Sequence, residues 1–275
     1  MPNQLPLNSS TLYTPLLFET YLTTSLLNNL STSLSDNAYL VYWICGVYVV
    51  TIHLIKHLMR DRAPLKLRPV LLVWNVSLAV FSIWGTSRVS HHLVHGITSR
   101  GISGYISCHY VEDDILVGLW KRLFGMSKIL ELGDTLFIVF RKSPLSFLHW
   151  YHHVTVLLFS VPLADYSARL PQGHTNVGNF YSGMNFAVHS VMYSYYAARA
   201  AGYRVWRPLT MSITILQILQ MVGGLWAGFY VPWWRCGREL TSFPMMCTIG
   251  MYGSYFLLFC HFFVRAYLVK RTKKE

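Results

Sequence analysis

Three imidazoles fall within five residues in the run His149-Trp150-Tyr151-His152-His153. On a helix, His149 shares a face with both His152 and His153, because side chains three and four apart are neighbours. Other polar side chains recur at helical spacing inside apolar stretches: Lys128, Glu131 and Asp134 followed by Thr135; Asn185, His189, Tyr193 and Tyr196; and Thr214, Gln217 and Gln220. Ionisable groups inside membrane-length apolar segments are costly, and they mark functional sites more often than packing. Taken singly, Thr214 or Gln220 reads equally well as a helix–helix hydrogen bond. The tyrosines read as packing with satisfied hydroxyls. Desolvating three adjacent imidazoles for packing alone does not make physical sense.

Two chemistries use such a cluster. A di-iron oxygenase centre of the desaturase and hydroxylase kind needs several histidine boxes, whereas one box plus His189 undersupplies the metal. No metal is therefore expected, and without a Cys-x-x-Cys pair a zinc ribbon is excluded. The second chemistry is acyl transfer. Burial disfavours the charged imidazole, and a neutral ring can attack a thioester to give an acyl-imidazole. A second imidazole supplies acid–base help, and hydroxyls and amides hold the developing oxyanion. A non-catalytic transporter or receptor would also contain a polar layer, but leaves the histidine box beside a lysine–carboxylate stripe unexplained.

The elements that carry these groups follow from composition. The chain has 275 residues, 53% hydrophobic and only 12% charged, whereas soluble domains are about 25% charged. Long apolar runs such as Tyr39–Met59, Val70–Trp84 and Met245–Leu268 approach the roughly 20 residues that cross a bilayer. Spans are expected at 38–59, 67–88, 114–140, 145–163, 178–198, 208–230 and 245–268. A tight turn at Lys142-Ser143-Pro144 joins the third and fourth; Pro208 opens the sixth; and Pro232 and Pro244 bracket a loop. His53, His57, His91, His92 and His95 flank span ends and read as interfacial or loop residues.

Glu131, His152, His189 and Gln217 each lie ten residues from a basic marker at the same side (Arg141, Lys142, Arg199 and Arg207), or about 15 Å along each helix. Random core polarity would scatter in depth, so one polar layer crossing four helices is expected.

The formal charge is +12, but the basic residues sit in short clusters without an extended basic face, which argues against nucleic acid. One side would hold Lys56, Arg60, Arg62, Lys66, Arg68, Arg141, Lys142, Arg199, Arg204, Arg207 and the tail Lys270, Arg271, Lys273 and Lys274. The other holds only Arg88, Arg100, Arg169, Arg235 and Arg238. The positive-inside rule then makes the C-terminus cytosolic and the N-terminus lumenal. The expected organisation is a lumenal segment 1–37, a seven-helix domain 38–268 and a basic tail 269–275. Asn8 and Asn29 open glycosylation sequons on the lumenal end. The tail is similar to a dibasic endoplasmic reticulum retrieval signal, and reads equally as a cytosolic anchor. Cys45, Cys247 and Cys260 read as packing residues, and Cys108 and Cys236 fall in lumenal loops where a disulfide is permitted.

Lys128-x-x-Glu131-x-x-Asp134-Thr135, the box His149-Trp-Tyr-His152-His153, and Asn185-x-x-x-His189-x-x-Met192-Tyr193-x-Tyr195-Tyr196, with Thr214-x-x-Gln217-x-x-Gln220 more loosely, resemble the ordered signatures of the ELO family of very-long-chain fatty acid elongases. The resemblance runs through all seven expected spans, to Leu258-Phe259-Cys260-His261-Phe262-Phe263. It implies a 3-oxoacyl-CoA synthase that condenses acyl-CoA with malonyl-CoA in the endoplasmic reticulum membrane, with no tightly bound cofactor. It implies an all-α fold of seven transmembrane helices, six forming an inverted barrel around an acyl tunnel closed towards the lumen. The reductases and dehydratase of the cycle, and a homo- or hetero-dimer, are the implied partners.

Carried over, His152 is the nucleophile and His189 assists malonyl decarboxylation. His149 and His153 orient and shuttle protons, and Lys128, Glu131 and Asp134 support them. Asn185, Tyr193, Tyr196, Gln217 and Gln220 line the substrate. Trp150 within the box resembles the branch acting on saturated and monounsaturated chains. Arg265 departs from relatives that carry an acidic residue there.

Overall fold

The computed structural model describes residues 15–22, 38–106, 115–163, 176–234 and 243–269. The described residues form helices α1 (Leu17–Tyr21), α2 (Ala38–Leu58), α3 (Arg68–Ile106), α4 (Ile115–Glu131), α5 (Gly133–Phe140), α6 (Phe147–Leu158), α7 (Val177–Ala201), α8 (Arg207–Trp234) and α9 (Phe243–Phe263). π-helical turns extend α6 over Phe159–Leu163 and α9 over Val264–Leu268. No strand occurs among the described residues. Asn8, Asn29, Cys108, Cys236 and the basic tail from Lys270 lie outside them.

Among the described residues four helices are long and apolar enough to cross a membrane, over Tyr39–Leu58, Arg68–Ile106, Arg207–Tyr230 and Met245–Leu268. The other three expected spans are helical too. Two of them, carrying Lys128, Glu131 and Asp134 and the histidine box, are divided into helices of 17, 8 and 12 residues, whereas α7, with Asn185 and His189, has 25 residues and is more polar.

Three expectations about boundaries need correction. The second expected span does not stop near residue 88: α3 continues to Ile106, so His91, His92, His95 and Arg100 are helical rather than loop residues. Val89, Leu93 and Ile97 recur every four residues and pack into the core, which sustains the helix through a polar stretch. Gly101, at φ 70° and ψ 160°, then kinks the chain, a conformation for which glycine is suited. The kink turns Tyr105 back onto Gly96, where any Cβ would sit 2.2 Å from the ring.

The third span is broken rather than continuous. Leu132 lies between α4 and α5 in a turn with Leu132 N–H to Ile129 and Thr135 N–H to Leu132 bonds, both 3.3 Å. This is the tighter i→i+3 pattern. At Gly133 a Cβ would meet the Trp74 ring at 2.8 Å. Lastly, α8 runs past Pro232 to Trp234, so that proline lies in the last helical turn and not beyond it.

α3 packs most extensively against α7, and α8 against α9, while α6 touches α2, α4 and α9. The turn after α5 is tied to the α2–α3 connection by the Lys142 ammonium, which donates to the carbonyls of Arg60 (2.8 Å) and Arg62 (3.1 Å).

Ahead of the long helices, α1 inserts Glu19 into the bundle, fully buried. Its carboxylate accepts two bonds from the Arg88 guanidinium, both 3.0 Å, and one from the Trp120 indole at 3.1 Å. Burying both ions is tolerable only because each is paired and hydrogen-bonded. Glu19→Gln removes the charge facing Arg88 and is expected to cost about 3 kcal/mol, read as a lower unfolding temperature of the purified full chain. An unchanged unfolding temperature would show that α1 contributes nothing to the bundle.

Candidate functional site

Ser146 caps α6 by accepting the His149 backbone N–H at 3.3 Å, an N-terminal residue type suited to the role. The helix spacing then sets the His149 and His153 rings one turn apart, tilted with centroids 4.6 Å apart, and His152 edge-on to His153 at 5.4 Å. From α9, the Tyr255 hydroxyl donates to the His152 carbonyl at 3.2 Å and also bonds Thr155. Its ring lies 5.0 Å from that of His152. Tyr151 meets Ser254 through a 2.9 Å hydroxyl pair. The histidine helix is therefore fixed along α9 by hydroxyl bonds beneath the box.

Facing it, α4 and α7 share a buried ionic network. The Lys128 ammonium, 1% exposed, donates to Glu131 Oε1 at 2.7 Å and to Asn185 Oδ1 at 2.9 Å. Ser127 donates to the same Glu131 oxygen at 3.1 Å. The ammonium also sits 4.4 Å above the Phe124 ring, a favourable cation–π position.

This network fixes a tautomer. An ammonium has only donors, so the Asn185 atom it contacts must be the oxygen. The Asn185 amide nitrogen then donates to His189 Nε2 at 3.2 Å, which places the His189 proton on Nδ1. That nitrogen is 3.8 Å from Glu131 Oε1, close enough for attraction and too long for a hydrogen bond.

Asp134 is bonded away from the lysine: the Trp74 indole donates to Oδ1 at 2.6 Å and the Tyr193 hydroxyl to Oδ2 at 2.7 Å. Tyr193 in turn packs edge-on against His189 at 5.4 Å. Asp134 thus reaches the histidines through a tyrosine, and Lys128 and Glu131 reach them through an asparagine.

These groups converge on one cavity of about 340 Å³. Glu131, Asp134, His149, His152, His153, Asn185, His189, Tyr193, Tyr196, Thr214, Gln217 and Gln220 all line it, and Lys128 lies behind them. Leu148, Val188, Met192, Ile213, Met221, Phe259 and Phe262 supply an apolar wall. Gln217 donates to Met192 Sδ at 3.3 Å, and Thr214 pairs with the Tyr267 hydroxyl at 3.3 Å.

Among the described residues two buried polar atoms on the lining have no protein partner, Glu131 Oε2 and His153 Nδ1. Buried groups are almost always satisfied, so these are positions where a ligand's polar atoms would be held. Among the described residues the His152 ring makes no hydrogen bond, while His149 Nε2 is bonded to Thr135 Oγ1 at 2.9 Å and His189 Nε2 to Asn185. Among the described residues no three His, Cys, Asp or Glu side chains group as a metal site would require.

Trp74, Ser127 and Tyr255 carry site geometry that the sequence alone does not single out. Trp74 and Tyr255 sit in strongly apolar runs, where an aromatic with a polar tip is indistinguishable from packing until its partner is known.

The sequence matches the profile of the GNS1/SUR4 family, ELO, over residues 33–275. It is 41% identical over 241 residues to very long chain fatty acid elongase 6 of Drosophila melanogaster, covering 86% of this chain and 74% of that one. It is 42% identical over 223 residues to very long chain fatty acid elongase 6 of Gallus gallus, covering 79% and 80%. To very long chain fatty acid elongase 3 of Mus musculus it is 40% identical over 239 residues, covering 84% and 86%.

Lys128→Met strips the buried Glu131 of its cation and is expected to destabilise the chain by about 3–5 kcal/mol. Adding Glu131→Gln should recover a large part of that loss, since the uncompensated charge is then gone. A double variant no more stable than Lys128→Met in thermal unfolding would show that the two groups are not energetically coupled.

Proposed function

The chain belongs to the GNS1/SUR4 (ELO) family, and from that premise we propose that it is the condensing enzyme of fatty acid elongation. Acyl-CoA and malonyl-CoA give 3-oxoacyl-CoA, free CoA and carbon dioxide. The observation that carries this reading is the shared cavity of His149, His152, His153 and His189, with an apolar wall on one side and a fixed polar network on the other.

His152 is the attacking ring: it lines the cavity, among the described residues its ring makes no hydrogen bond, and it is partly exposed where its neighbour His153 is buried. Its neutral nitrogen forms a C–N bond to the acyl carbon as the C–S bond breaks. The other ring nitrogen gives up its proton, and the CoA thiolate takes one to leave as the thiol. Malonyl-CoA next loses carbon dioxide, and the electron pair of the broken C–C bond attacks the acyl-imidazole. The C–N bond breaks, and the imidazole recovers one proton from the medium.

His189, with its proton held on Nδ1, is suited to donate a hydrogen bond to the enolate oxygen rather than to act as a base. Such a preset donor stabilises charge at no cost in reorganisation. Glu131 Oε2 and His153 Nδ1 are the atoms that would engage polar groups of the substrate. His153 would pass the proton between half-reactions.

The same reading extends to architecture. The seven helical segments cross the endoplasmic reticulum membrane with the N-terminus lumenal and the C-terminus cytosolic, and six of them enclose an acyl tunnel. The catalytic domain is 38–268. The basic residues around Arg68, Arg204 and Arg207 suit the phosphates of CoA arriving from the cytosol. Saturated and monounsaturated chains are the favoured substrates, in keeping with the context of Trp150. The reductases and dehydratase that process the product are its functional partners, and the chain works as a homo- or hetero-dimer.

The purified full chain, treated with a metal chelator and given palmitoyl-CoA and malonyl-CoA, is expected to form the 3-oxoacyl product at an undiminished rate. His152→Ala should lower that rate by about 10²–10⁴-fold. Loss of activity on chelation, or full activity in His152→Ala, would overturn the proposed chemistry.

A further inference from the structure

A second hydrogen-bonded chain reaches the site from a helix outside the histidine layer. On α2 the Tyr48 hydroxyl is 2.7 Å from Thr135 Oγ1 on α5, and that oxygen is 2.9 Å from His149 Nε2 on α6. Tyr48 is 7% exposed and Thr135 is 0% exposed. Neither lines the cavity.

The direction of the protons follows from counting donors. A threonine hydroxyl has one proton and can give it to only one neighbour. If His149 Nε2–H donated to Thr135 and Thr135 to Tyr48, the phenol proton would be left buried without an acceptor, because among the described residues its hydroxyl bonds only Thr135. A buried donor left unmet carries its full desolvation penalty. If Tyr48 donates to Thr135 and Thr135 to His149 Nε2, both hydroxyl protons find an acceptor. The second arrangement satisfies both hydroxyls.

We infer that Thr135, backed by Tyr48, is a positioning residue that caps the Nε2 lone pair of His149 and holds this histidine with its proton on Nδ1. His149 is then not a base or nucleophile through Nε2. It is a fixed hydrogen-bond donor beside His153, whose ring centroid is 4.6 Å away. The catalytic part of this inference rests on the condensing function proposed above; the tautomer does not.

Both parts are tested on the purified full chain with four proteins: wild type, Thr135→Val, Thr135→Ser and Tyr48→Phe. Diethyl pyrocarbonate modifies an imidazole at its free lone pair, and peptide mass spectrometry reads the rate at His149 relative to His152. Thr135→Val should raise that ratio by about 10-fold, in line with the effect of removing a partner that orients a histidine. Thr135→Ser should leave it within about twofold, and Tyr48→Phe should raise it by a smaller factor, because the chain loses only its outer donor. An unchanged ratio in Thr135→Val, or equal ratios in Thr135→Val and Thr135→Ser, would overturn the tautomer assignment. If Thr135→Val does not fold, the Tyr48→Phe ratio decides.

In turnover, Thr135→Val should lower kcat by about 10–100-fold with KM nearly constant, and Thr135→Ser should restore most of it. Equal losses in the two variants would mean a packing role only. A wild-type chain that makes no 3-oxoacyl product would sink the proposed function, while the modification ratio would still decide the tautomer.

Discussion

The lysine buried between α4 and α7 is the constraint on which the site depends. An ammonium taken out of water is tolerated only when its donors are met and its charge is balanced. Lys128 meets this requirement with one carboxylate, one amide oxygen and an aromatic face. Each of those partners is then fixed in turn. The amide can only present its nitrogen to His189, and the carboxylate is left with one free oxygen on the cavity. A single desolvated charge thereby sets a tautomer, an orientation and a vacant acceptor.

The helices around it exist in the positions that this network needs. In the third segment Glu131 pairs with Lys128, while Asp134 is bonded by Trp74 and Tyr193. Glycine at 133 lets Trp74 approach closely enough to make that bond. On the opposite wall, Tyr255 holds α6 by the carbonyl of His152 while leaving the ring uncommitted. Two of the four histidines, His149 and His189, have Nε2 committed to a protein hydrogen bond. His152 has its backbone fixed by Tyr255, and among the described residues its ring makes no hydrogen bond. That division of labour suits one nucleophile among several orienting groups.

Much of this was legible in the residues themselves. The matched depth of Glu131, His152, His189 and Gln217 follows from spacing alone, and all of them line the same cavity. Spacing does not reveal which neighbour a side chain meets, so the bonds of Asp134 to Trp74 and Tyr193 were hidden in the i, i+3, i+6 stripe. The extension of α3 through His91, His92 and His95 was hidden for a related reason, since a polar stretch with apolar residues every fourth position reads as a loop by composition and as a helix by packing. Glu19 gave no signal, because its partners Arg88 and Trp120 are distant in sequence. Tyr48 and Thr135 show the same limit: a hydroxyl in an apolar run becomes informative only when its neighbour is known.

The central claim is that one imidazole of this layer carries the acyl group between two thioesters. Incubating the purified chain with palmitoyl-CoA in the absence of malonyl-CoA, followed by peptide mass spectrometry, tests it most directly. The account predicts a palmitoyl adduct on His152 that disappears when malonyl-CoA is added. An adduct on another residue, or product formation with no adduct at any time before malonyl-CoA is supplied, would contradict it.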